Sequence, residues 1–183
     1  TFALPICIWT DVDGGSNVNG LNTEEVRWGN SAGYGQSGLR FDGSGLQSFN
    51  EGNDFYLGAL THFNWPIYNA ADGATLKITL QFEKPEISPD PQFTFDFDIE
   101  ETSNTAGSCP SWQESDTPCD DKITFPSIYG EESFEIGDKL YTLEILGFVD
   151  SYPDGNPVSE FITEEQKNNT AFLVGRLSSI LVA

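Results

Sequence analysis

The chain has 183 residues, with 29 acidic and 8 basic side chains, so its formal charge is −21 and its pI is about 4.1. Such a charge repels phosphate backbones and anionic lipid surfaces, which excludes nucleic-acid binding. The hydrophobic fraction of 38% and the aromatic fraction of 13% are too high for a disordered acidic tail and indicate a folded domain.

The N-terminal run from Phe2 to Trp9 is apolar and predicts a β-strand. Pro5 lacks a backbone donor, which favours a sheet edge. We expect residues 1–13 to form this strand and residues 14–183 to form a single β-sandwich domain. Either the strand is an ordinary first strand, or it is an assembly strand donated to a neighbouring copy. The apolar side chains of that assembly strand would be Phe2, Leu4, Ile6 and Ile8.

Strict alternation of apolar and polar residues predicts half-buried strands over Leu76 to Phe82 and Phe93 to Ile99. Gly137-Asp138 has the form of a two-residue hairpin turn, and Thr163 to Asn169 is the one segment that predicts a helical turn. Further β-rich runs lie at 25–28, 38–41, 55–62, 122–125, 133–136, 139–148 and 170–182. We therefore predict an all-β, antiparallel β-sandwich, jelly-roll-like, with about ten strands; a barrel is the alternative.

Three cysteines are present. Cys109 and Cys119 bracket a turn-rich segment, so we expect a local disulfide, with two free thiols as the alternative. Cys7 lies in the apolar N-terminal run, where either a buried inert thiol or an intermolecular bridge is expected. A disulfide, a first residue Thr1 and the absence of Met favour export followed by cleavage of a leader. No apolar run is long enough to predict a membrane-spanning helix.

Oxygen-bearing side chains indicate Ca²⁺ in two places. The first group lies in a Gly-rich loop and consists of Asp11, Asp13, Asn17 and Asn19. This spacing departs from an EF-hand, because no Glu follows at the twelfth position. The second group is Asp96 and Asp98, which with Glu100 line one strand face. Like charges there repel each other unless salt, a cation or a basic partner neutralises them, and a merely solvated acidic face is the alternative.

Catalytic patterns are weak. His62 is the only histidine, which excludes a His-pair zinc motif, and a structural hydrogen-bonding role is expected for it. No nucleophile elbow, Walker loop or dinucleotide fingerprint occurs in the sequence. The carboxylate pairs Glu100-Glu101 and Asp120-Asp121 could be offered as a glycosidase acid and base, but adjacent strand residues point to opposite faces, so we interpret them as solvated charge.

Exposed aromatic side chains in loops could stack on sugar rings. Tyr34 and Trp112 are the main candidates, and Tyr129 and Tyr152 are further ones. Burial in the core explains most of the other aromatic residues.

Several short segments follow one another in an order similar to that of a known family. They are Gly14 to Ser16, Glu25 to Gly29, Gln36 to Leu39, Phe41 to Gly43, Phe55 to Gly58, Thr61 to Ile67, Glu101 to Asn104, the Cys109 and Cys119 pair with Asp120 to Ile123, and Tyr141 to Phe148. From about Gly14 to Gly175 the chain resembles the bacterial choice-of-anchor K domain, a secreted β-rich module whose members usually carry a C-terminal sorting or anchoring signal. The resemblance implies an extracellular or cell-surface location and no known enzymatic activity.

The family's C-terminal anchor is not seen before Ala183. We expect either a tail that has been removed or retention by self-assembly. The sequence therefore predicts a non-catalytic extracellular structural protein that assembles with its own copies into a surface layer, sheath or filament. Ca²⁺ is the expected ion, and no organic cofactor is expected. The alternatives are a monomeric secreted carbohydrate-binding module with a glycan partner and, third, a secreted hydrolase.

Overall fold

The computed structural model describes residues 2–104, 108–113, 118–125 and 132–182. Those ranges contain fourteen strands and no helix, which confirms the all-β class. The strands are β1 (Phe2–Gly14), β2 (Glu25–Trp28), β3 (Asn30–Ser31), β4 (Ser37–Gly43), β5 (Gln47–Ser48), β6 (Asp54–Asn64), β7 (Ile67–Tyr68), β8 (Ala71–Lys84), β9 (Gln92–Glu100), β10 (Asp121–Thr124), β11 (Phe134–Ile136), β12 (Lys139–Val149), β13 (Glu160–Thr163) and β14 (Lys167–Leu181). The number exceeds the ten predicted because β3, β5 and β7 are two-residue strands, too short to show alternation.

Two six-stranded antiparallel sheets form the molecule. The first has the order β13-β10-β9-β8-β1-β5, and the second has the order β11-β12-β14-β6-β4-β2. A small two-stranded sheet pairs β3 with β7. Buried side chains from both large sheets join in one core, with Trp9 and Phe95 from the first sheet and Phe41 and Leu173 from the second. This arrangement confirms the predicted antiparallel sandwich.

The period-two strands lie where the alternation predicts them. Leu76, Ile78 and Leu80 on β8 are fully buried, and the intervening side chains face outward because successive residues of a strand point to opposite faces. The predicted hairpin between β11 and β12 is also present. Ile136 pairs with Lys139, and Gly137 takes a positive φ of 64°, which the two-residue turn requires.

The helical turn predicted over Thr163 to Asn169 is wrong. β13 ends at Thr163, and β14 begins at Lys167 with a turn between them in which Gln166 has a φ of 60°. The Asn169 side chain accepts from the Glu164 amide and donates to the Glu164 carbonyl, both at 2.9 Å. These bonds hold the turn by which the chain passes from β13 in the first sheet to β14 in the second, and the pairing of β14 with β6 from Lys167 onward outweighs the local helix propensity.

β1 is a strand of its own sheet and pairs antiparallel with β8 from Phe2 to Gly14. Its inward side chains, including Cys7 and Trp9, belong to the common core. On its other side β5 pairs only with Phe2 and Ala3, and Thr23 makes a single bridge to Trp9. Pro5 lies between these two contacts, where β1 has no second neighbouring strand, as its missing backbone donor requires.

No helix in the described part of the chain is long and apolar enough to cross a membrane.

Candidate functional site

The open edge of β1 carries a row of apolar side chains on the outer face of the first sheet. We call Phe2, Leu4, Ile6 and Ile8 the β1 row. Phe2 and Ile6 are exposed, with 43% of the Ile6 surface accessible, while Leu4 and Ile8 are half-buried. On β8 their paired neighbours are polar: Gln81 opposite Leu4, Thr79 opposite Ile6 and Lys77 opposite Ile8. The row is therefore an apolar strip at the margin of a polar sheet.

A groove of about 560 Å³ runs beside this edge. One wall is Leu4 to Ile8, and the other is formed by Thr23, Glu24, Phe41 and Gly43 to Gly45. The Gly43 backbone lies close to β1, since a Cβ at Gly43 would be 2.7 Å from the Pro5 carbonyl oxygen. The β1 wall spans about 16 Å at roughly 3.3 Å per residue, the length of a short extended segment. The groove is therefore as long as a short extended segment, and it is narrowest where Gly43 approaches Pro5.

The aspartates of the two predicted Ca²⁺ groups meet on one surface. Asp11 is paired with Thr75, which is paired in turn with Asp96. Two residues further along β1 and β9, Asp13 and Asp98 are both paired with Gly73 of β8, one on each side. We call Asp11, Asp13, Asp96 and Asp98 the acidic face; all four are exposed, and they line a hollow of about 290 Å³. The juxtaposition follows from the strand order β1-β8-β9, which alternation along a single strand does not reveal.

The amides of the predicted loop group make other contacts. The Asn17 amide donates to the Asn30 side-chain oxygen, and the Asn19 amide donates to the Gln36 side-chain oxygen at 2.7 Å. Gln36 in turn donates to the Asn17 carbonyl at 2.9 Å. These bonds hold the loop that contains Asn17 and Asn19 against the segment before β4.

The disulfide between Cys109 and Cys119 is present, with 5.5 Å between the Cα atoms, which confirms the predicted bridge. Cys7 is a free, buried thiol, and burial raises its pKa to about 12. Its thiolate is therefore scarce at neutral pH, as expected for an inert cysteine.

The aromatic candidates differ in what covers them. Tyr34 is 60% exposed, and its ring stacks on Trp65 at 6.4 Å with 7° between the planes. The Trp112 ring has the Lys122 ammonium 4.8 Å from its centroid, and its indole N–H donates to Glu100 at 3.1 Å. Tyr152 stacks on Tyr56. The remaining candidate, Tyr129, lies outside the described residues.

His62 is fully buried, and its Nδ1 lies 2.8 Å from the Thr163 hydroxyl oxygen. Burial lowers its pKa to about 3, so the imidazole is neutral at physiological pH. A neutral ring held by a hydroxyl agrees with the structural role predicted from the sequence.

Three carboxyl groups that the sequence did not single out as a site lie together inside one end of the sandwich. Glu101 follows β9, Asp121 begins β10, and Glu165 lies in the turn between β13 and β14. We call them the buried acid cluster. Asp121 is fully buried, and only 7% of the Glu165 surface is accessible.

The expectation that both carboxylate pairs are solvated is wrong for one member of each. Glu100 points outward and lies 3.0 Å from the Lys122 ammonium, whereas Glu101 turns inward toward Asp121. The alternation rule separated the neighbours correctly. Glu101 continues the inward-facing series Phe93, Phe95, Phe97 and Ile99, and Asp121 lies on the same inward face of β10 as Ile123, so continuing the alternation would have placed both acids in the interior.

The cluster is electrostatically frustrated. Burial, followed by the charge of Asp121, raises the pKa of Glu101. Burial also raises the pKa of Asp121, although hydrogen bonds from Thr102 oppose that shift. Burial and the charge of Asp121 raise the pKa of Glu165 to about 7. Near neutral pH the cluster therefore retains protons, and a protonated Glu101 donates a hydrogen bond to Asp121.

Several buried oxygens of this region have no donor when the acids are ionised. They are Glu101 Oε2, Asp121 Oδ2, both carboxylate oxygens of Glu165, and Asn64 Oδ1. Buried polar atoms are normally satisfied, so such a concentration is unusual. Within the described ranges, no set of three or more His, Cys, Asp or Glu side chains stands in a geometry ready to hold a metal ion.

The chain matches no protein-family model, and no curated protein is significantly similar to it.

Proposed function

We propose that this protein is a non-catalytic extracellular structural protein that associates with its own copies through the open edge of β1. The observation that carries the proposal is the β1 row, an apolar strip beside a groove and an incompletely paired strand edge. Unpaired strand edges are templates for pairing with another chain, and proline or a covering segment weakens that tendency; here Pro5 removes one backbone donor and Gly43 approaches its carbonyl, so pairing would depend on the apolar side chains of the row.

The occupant we propose for the groove is β1 of a second copy, running antiparallel. A two-fold axis at Ile6 sets the two Ile6 side chains opposite each other and sets Leu4 opposite Ile8 of the second copy. Apolar cross-strand pairs of this kind stabilise antiparallel strands by about 0.2 to 1 kcal/mol each. The same surface on both copies would be used, which makes the contact self-complementary.

Charge favours this place of contact over the rest of the surface. A formal charge of −21 opposes the approach of two copies. None of the four side chains of the β1 row is ionisable, and Lys77 lies beside Ile8 on β8. Two copies that meet there bring no carboxylates of this row together, and the one carboxylate of the opposite wall, Glu24, lies 3.4 Å from the Arg40 guanidinium.

A two-fold contact gives a dimer, so a layer, sheath or filament needs a second contact. The end of β14 offers one, since Ile180, Leu181 and Val182 are all exposed. Contiguous exposed apolar side chains mark interaction surfaces more often than chance exposure does. Dimers that also join through β14 would extend into a larger assembly if the rotation between them does not close.

The extracellular location is part of the proposal. The disulfide between Cys109 and Cys119 supports an oxidising compartment. The resemblance to choice-of-anchor K domains points the same way and supplies no catalytic residues.

The test is the oligomeric state of wild-type protein and of Ile6→Lys, measured by light scattering after size exclusion and by negative-stain electron microscopy. We expect the wild type to associate and Ile6→Lys to remain a folded monomer, because a charge at an exposed edge blocks pairing at little cost to the fold. Gln92→Lys, at an exposed site on β9 of the same sheet, is the matched control and should associate normally. A wild type that stays monomeric at high concentration contradicts the proposal, and so does an Ile6→Lys variant that assembles like the control.

A monomeric carbohydrate-binding module is the second candidate, favoured by the Tyr34 and Trp65 rings. They stack almost parallel, and Tyr34 is 60% exposed, which is how an aromatic side chain presents a face to a sugar ring. A glycan array probed with wild type and Tyr34→Ala tests this function. Binding by a monomer that Tyr34→Ala loses would support it over self-association.

A further inference from the structure

Three polar side chains meet inside one end of the sandwich, between the two large sheets. His62 and Asn64 lie on the inward face of β6 in the second sheet, and Thr163 ends β13 at the edge of the first sheet. All three are fully buried. We propose that the Thr163 hydroxyl and the Asn64 side-chain amide react with each other to form an intramolecular ester, with His62 as the base. Self-association through β1 is not needed for this reaction.

The fold brings Thr163 to the end of β6. β14 pairs with β6, and its first residue, Lys167, lies opposite Asn64. The short turn before Lys167 leads back to Thr163, so the end of β13 lies beside the second sheet. Thr163 also pairs with Asp121 on β10, which holds it in the first sheet. The two residues are 99 positions apart in sequence, and the strand topology alone brings them together.

The nucleophile and the base are in contact. Thr163 Oγ1 lies 2.8 Å from His62 Nδ1, within the reach of a general base for the proton that it removes. Burial lowers the pKa of His62 to about 3, so the ring is neutral and has a nitrogen free of a proton. Burial also disfavours the imidazolium, so His62 holds the proton only between its removal from the hydroxyl and its transfer to the leaving nitrogen.

Asn64 supplies the carbon that is attacked. Its Nδ2 lies 3.3 Å from Thr163 Oγ1 and donates to the Thr163 carbonyl at 3.2 Å, and Cγ is bonded directly to Nδ2. Within the described residues Asn64 Oδ1 has no hydrogen-bond partner. Rotation about the Cβ–Cγ bond, which turns the face of the amide toward the hydroxyl, therefore breaks no bond of this oxygen. Two reacting groups held this close need little further ordering, and burial excludes the water that would compete for the carbon.

The reaction needs no external reagent. Thr163 Oγ1 forms a bond to Asn64 Cγ while its proton passes to His62 Nδ1, and negative charge gathers on Asn64 Oδ1. The Cγ–Nδ2 bond then breaks, and His62 returns the proton to the leaving nitrogen, so one ammonia is released for each ester formed. The reacting groups are consumed, so the step occurs once in each chain and a slow rate is sufficient.

The ester would join the two large sheets covalently. β13 belongs to the first sheet and β6 to the second, and core packing is the other contact that holds the sheets together at this end. A cross-link between residues so far apart in sequence also restricts the unfolded chain strongly, because the loop that it closes is long. The result is a domain that resists unfolding, which is what a load-bearing extracellular structural protein requires.

The test is the intact mass of the full chain, unfolded after purification, followed by a peptide map. We expect a mass below that of the disulfide-bonded sequence by one ammonia, and one joined pair of peptides that contains Asn64 and Thr163. Hydroxylamine should separate this pair, because it cleaves esters and leaves ordinary amides. A full mass and separate peptides after prolonged incubation of the folded protein would show a hydrogen bond only and would overturn the proposal.

Variants locate the bond. Thr163→Val keeps the shape of the side chain and removes the nucleophile, so its mass should be that of the full sequence, whereas Thr163→Ser should still lose ammonia. Thr170→Val is the matched control, because the Thr170 hydroxyl contacts Thr61 on the exposed face, and it should cross-link like wild type. Ammonia could also be lost through a succinimide at Asn19-Gly20. A mass loss that persists in Thr163→Val without joined peptides would therefore overturn the proposal.

His62→Gln tests the base. Gln can still form a hydrogen bond to the Thr163 hydroxyl, but it cannot take up the proton. We expect the joined fraction, followed by mass from the time of cell-free synthesis, to grow at least about a hundredfold more slowly, the usual contribution of a general base. Near-UV circular dichroism checks that the variant is folded. A folded His62→Gln variant that cross-links at the wild-type rate would refute the assignment of His62.

Discussion

The backbone amide of Thr102 donates to one carboxylate oxygen of Asp121 at 2.8 Å, and the Thr102 hydroxyl lies 3.0 Å from the same oxygen. Both donors act on Oδ1, so the buried Oδ2 depends on another group for a partner. Glu101 can donate to this carboxylate only when it carries a proton, and the Asn64 amide is the other side-chain donor beside it. The interior of this end of the sandwich therefore links protonation to folding.

Without divalent cations, we expect the free energy of unfolding to fall as the pH rises from about 5 to 8. The carboxyl groups of the cluster have raised pKa values in the folded state, while in the unfolded chain they titrate near 4. In this window the folded state binds more protons than the unfolded state, so stability is complete below the unfolded pKa and is lost as the pH rises through the folded one. The slope reaches about 1.4 kcal/mol per pH unit for each proton of difference.

Urea unfolding at a series of pH values with a chelator present measures this dependence. Glu101→Gln, which cannot ionise, should flatten the slope, whereas Asp98→Asn on the acidic face should leave it unchanged. Two exposed glutamates have the opposite effect: a hydrogen bond from Lys139 lowers the pKa of Glu51, and one from Lys122 lowers the pKa of Glu100. Their contribution to the free energy of unfolding therefore rises with pH, and it changes only at acid pH. A stability that is flat or rises between pH 5 and 8 would contradict the expectation.

The disulfide should contribute to stability by restricting the unfolded chain. Cys109→Ser with Cys119→Ser is expected to lower the free energy of unfolding by about 2 to 3 kcal/mol, given the separation of 10 residues. Urea unfolding of this variant and of reduced wild type measures the loss. The two should agree, because Cys7 is buried and takes no part in the bridge. If the variant is as stable as oxidised wild type, the segment from Cys109 to Cys119 does not support the fold.

The strands were the most predictable part of this molecule. Alternation in Leu76 to Phe82 and Phe93 to Ile99 is a local signal, and burial of one face of a sheet imposes it directly. The hairpin at Gly137 was predictable for the same reason, since its turn needs a residue that tolerates positive φ. The turn at Gln166 contains no glycine that would mark it in the sequence. Hydrogen bonds between Asn169 and the Glu164 backbone hold it instead, so local sequence did not predict it.

Contacts between segments that are far apart along the chain could not be predicted from the sequence. The approach of Asp11 to Asp96 depends on β8 lying between β1 and β9, and the meeting of Glu101 with Glu165 depends on the pairing of β10 with β9 and β13. Neither follows from the periodicity of one strand. Which acid of each adjacent pair is buried does follow from that periodicity, since Glu101 comes two residues after the buried Ile99 and Asp121 two residues before the buried Ile123.

Gly43 should be intolerant of a side chain. A Cβ there would lie 2.7 Å from the Pro5 carbonyl oxygen and 3.3 Å from the Cys7 sulfur, so β4 would have to move away from β1. We expect Gly43→Ala to lower the free energy of unfolding by about 1 to 3 kcal/mol, the usual cost of overpacking. Gly45→Ala is the matched control, since a Cβ at Gly45 meets nothing within 4 Å. Equal stability of the two variants would show that β1 and β4 are not held together as closely as the structure indicates.

The Cys7 thiol should report how firmly β1 is held in its own sheet. It is buried against β4, and its pKa is raised to about 12 by burial, so the folded protein should react with a disulfide reagent roughly a hundredfold more slowly than the urea-unfolded chain. Reaction in the folded state requires β1 to open. Gly43→Ala should therefore accelerate the labelling of Cys7, while Gly45→Ala should not. Rapid labelling of folded wild type would show that β1 leaves its sheet readily, which is the behaviour expected of a strand donated between copies rather than one retained by its own chain.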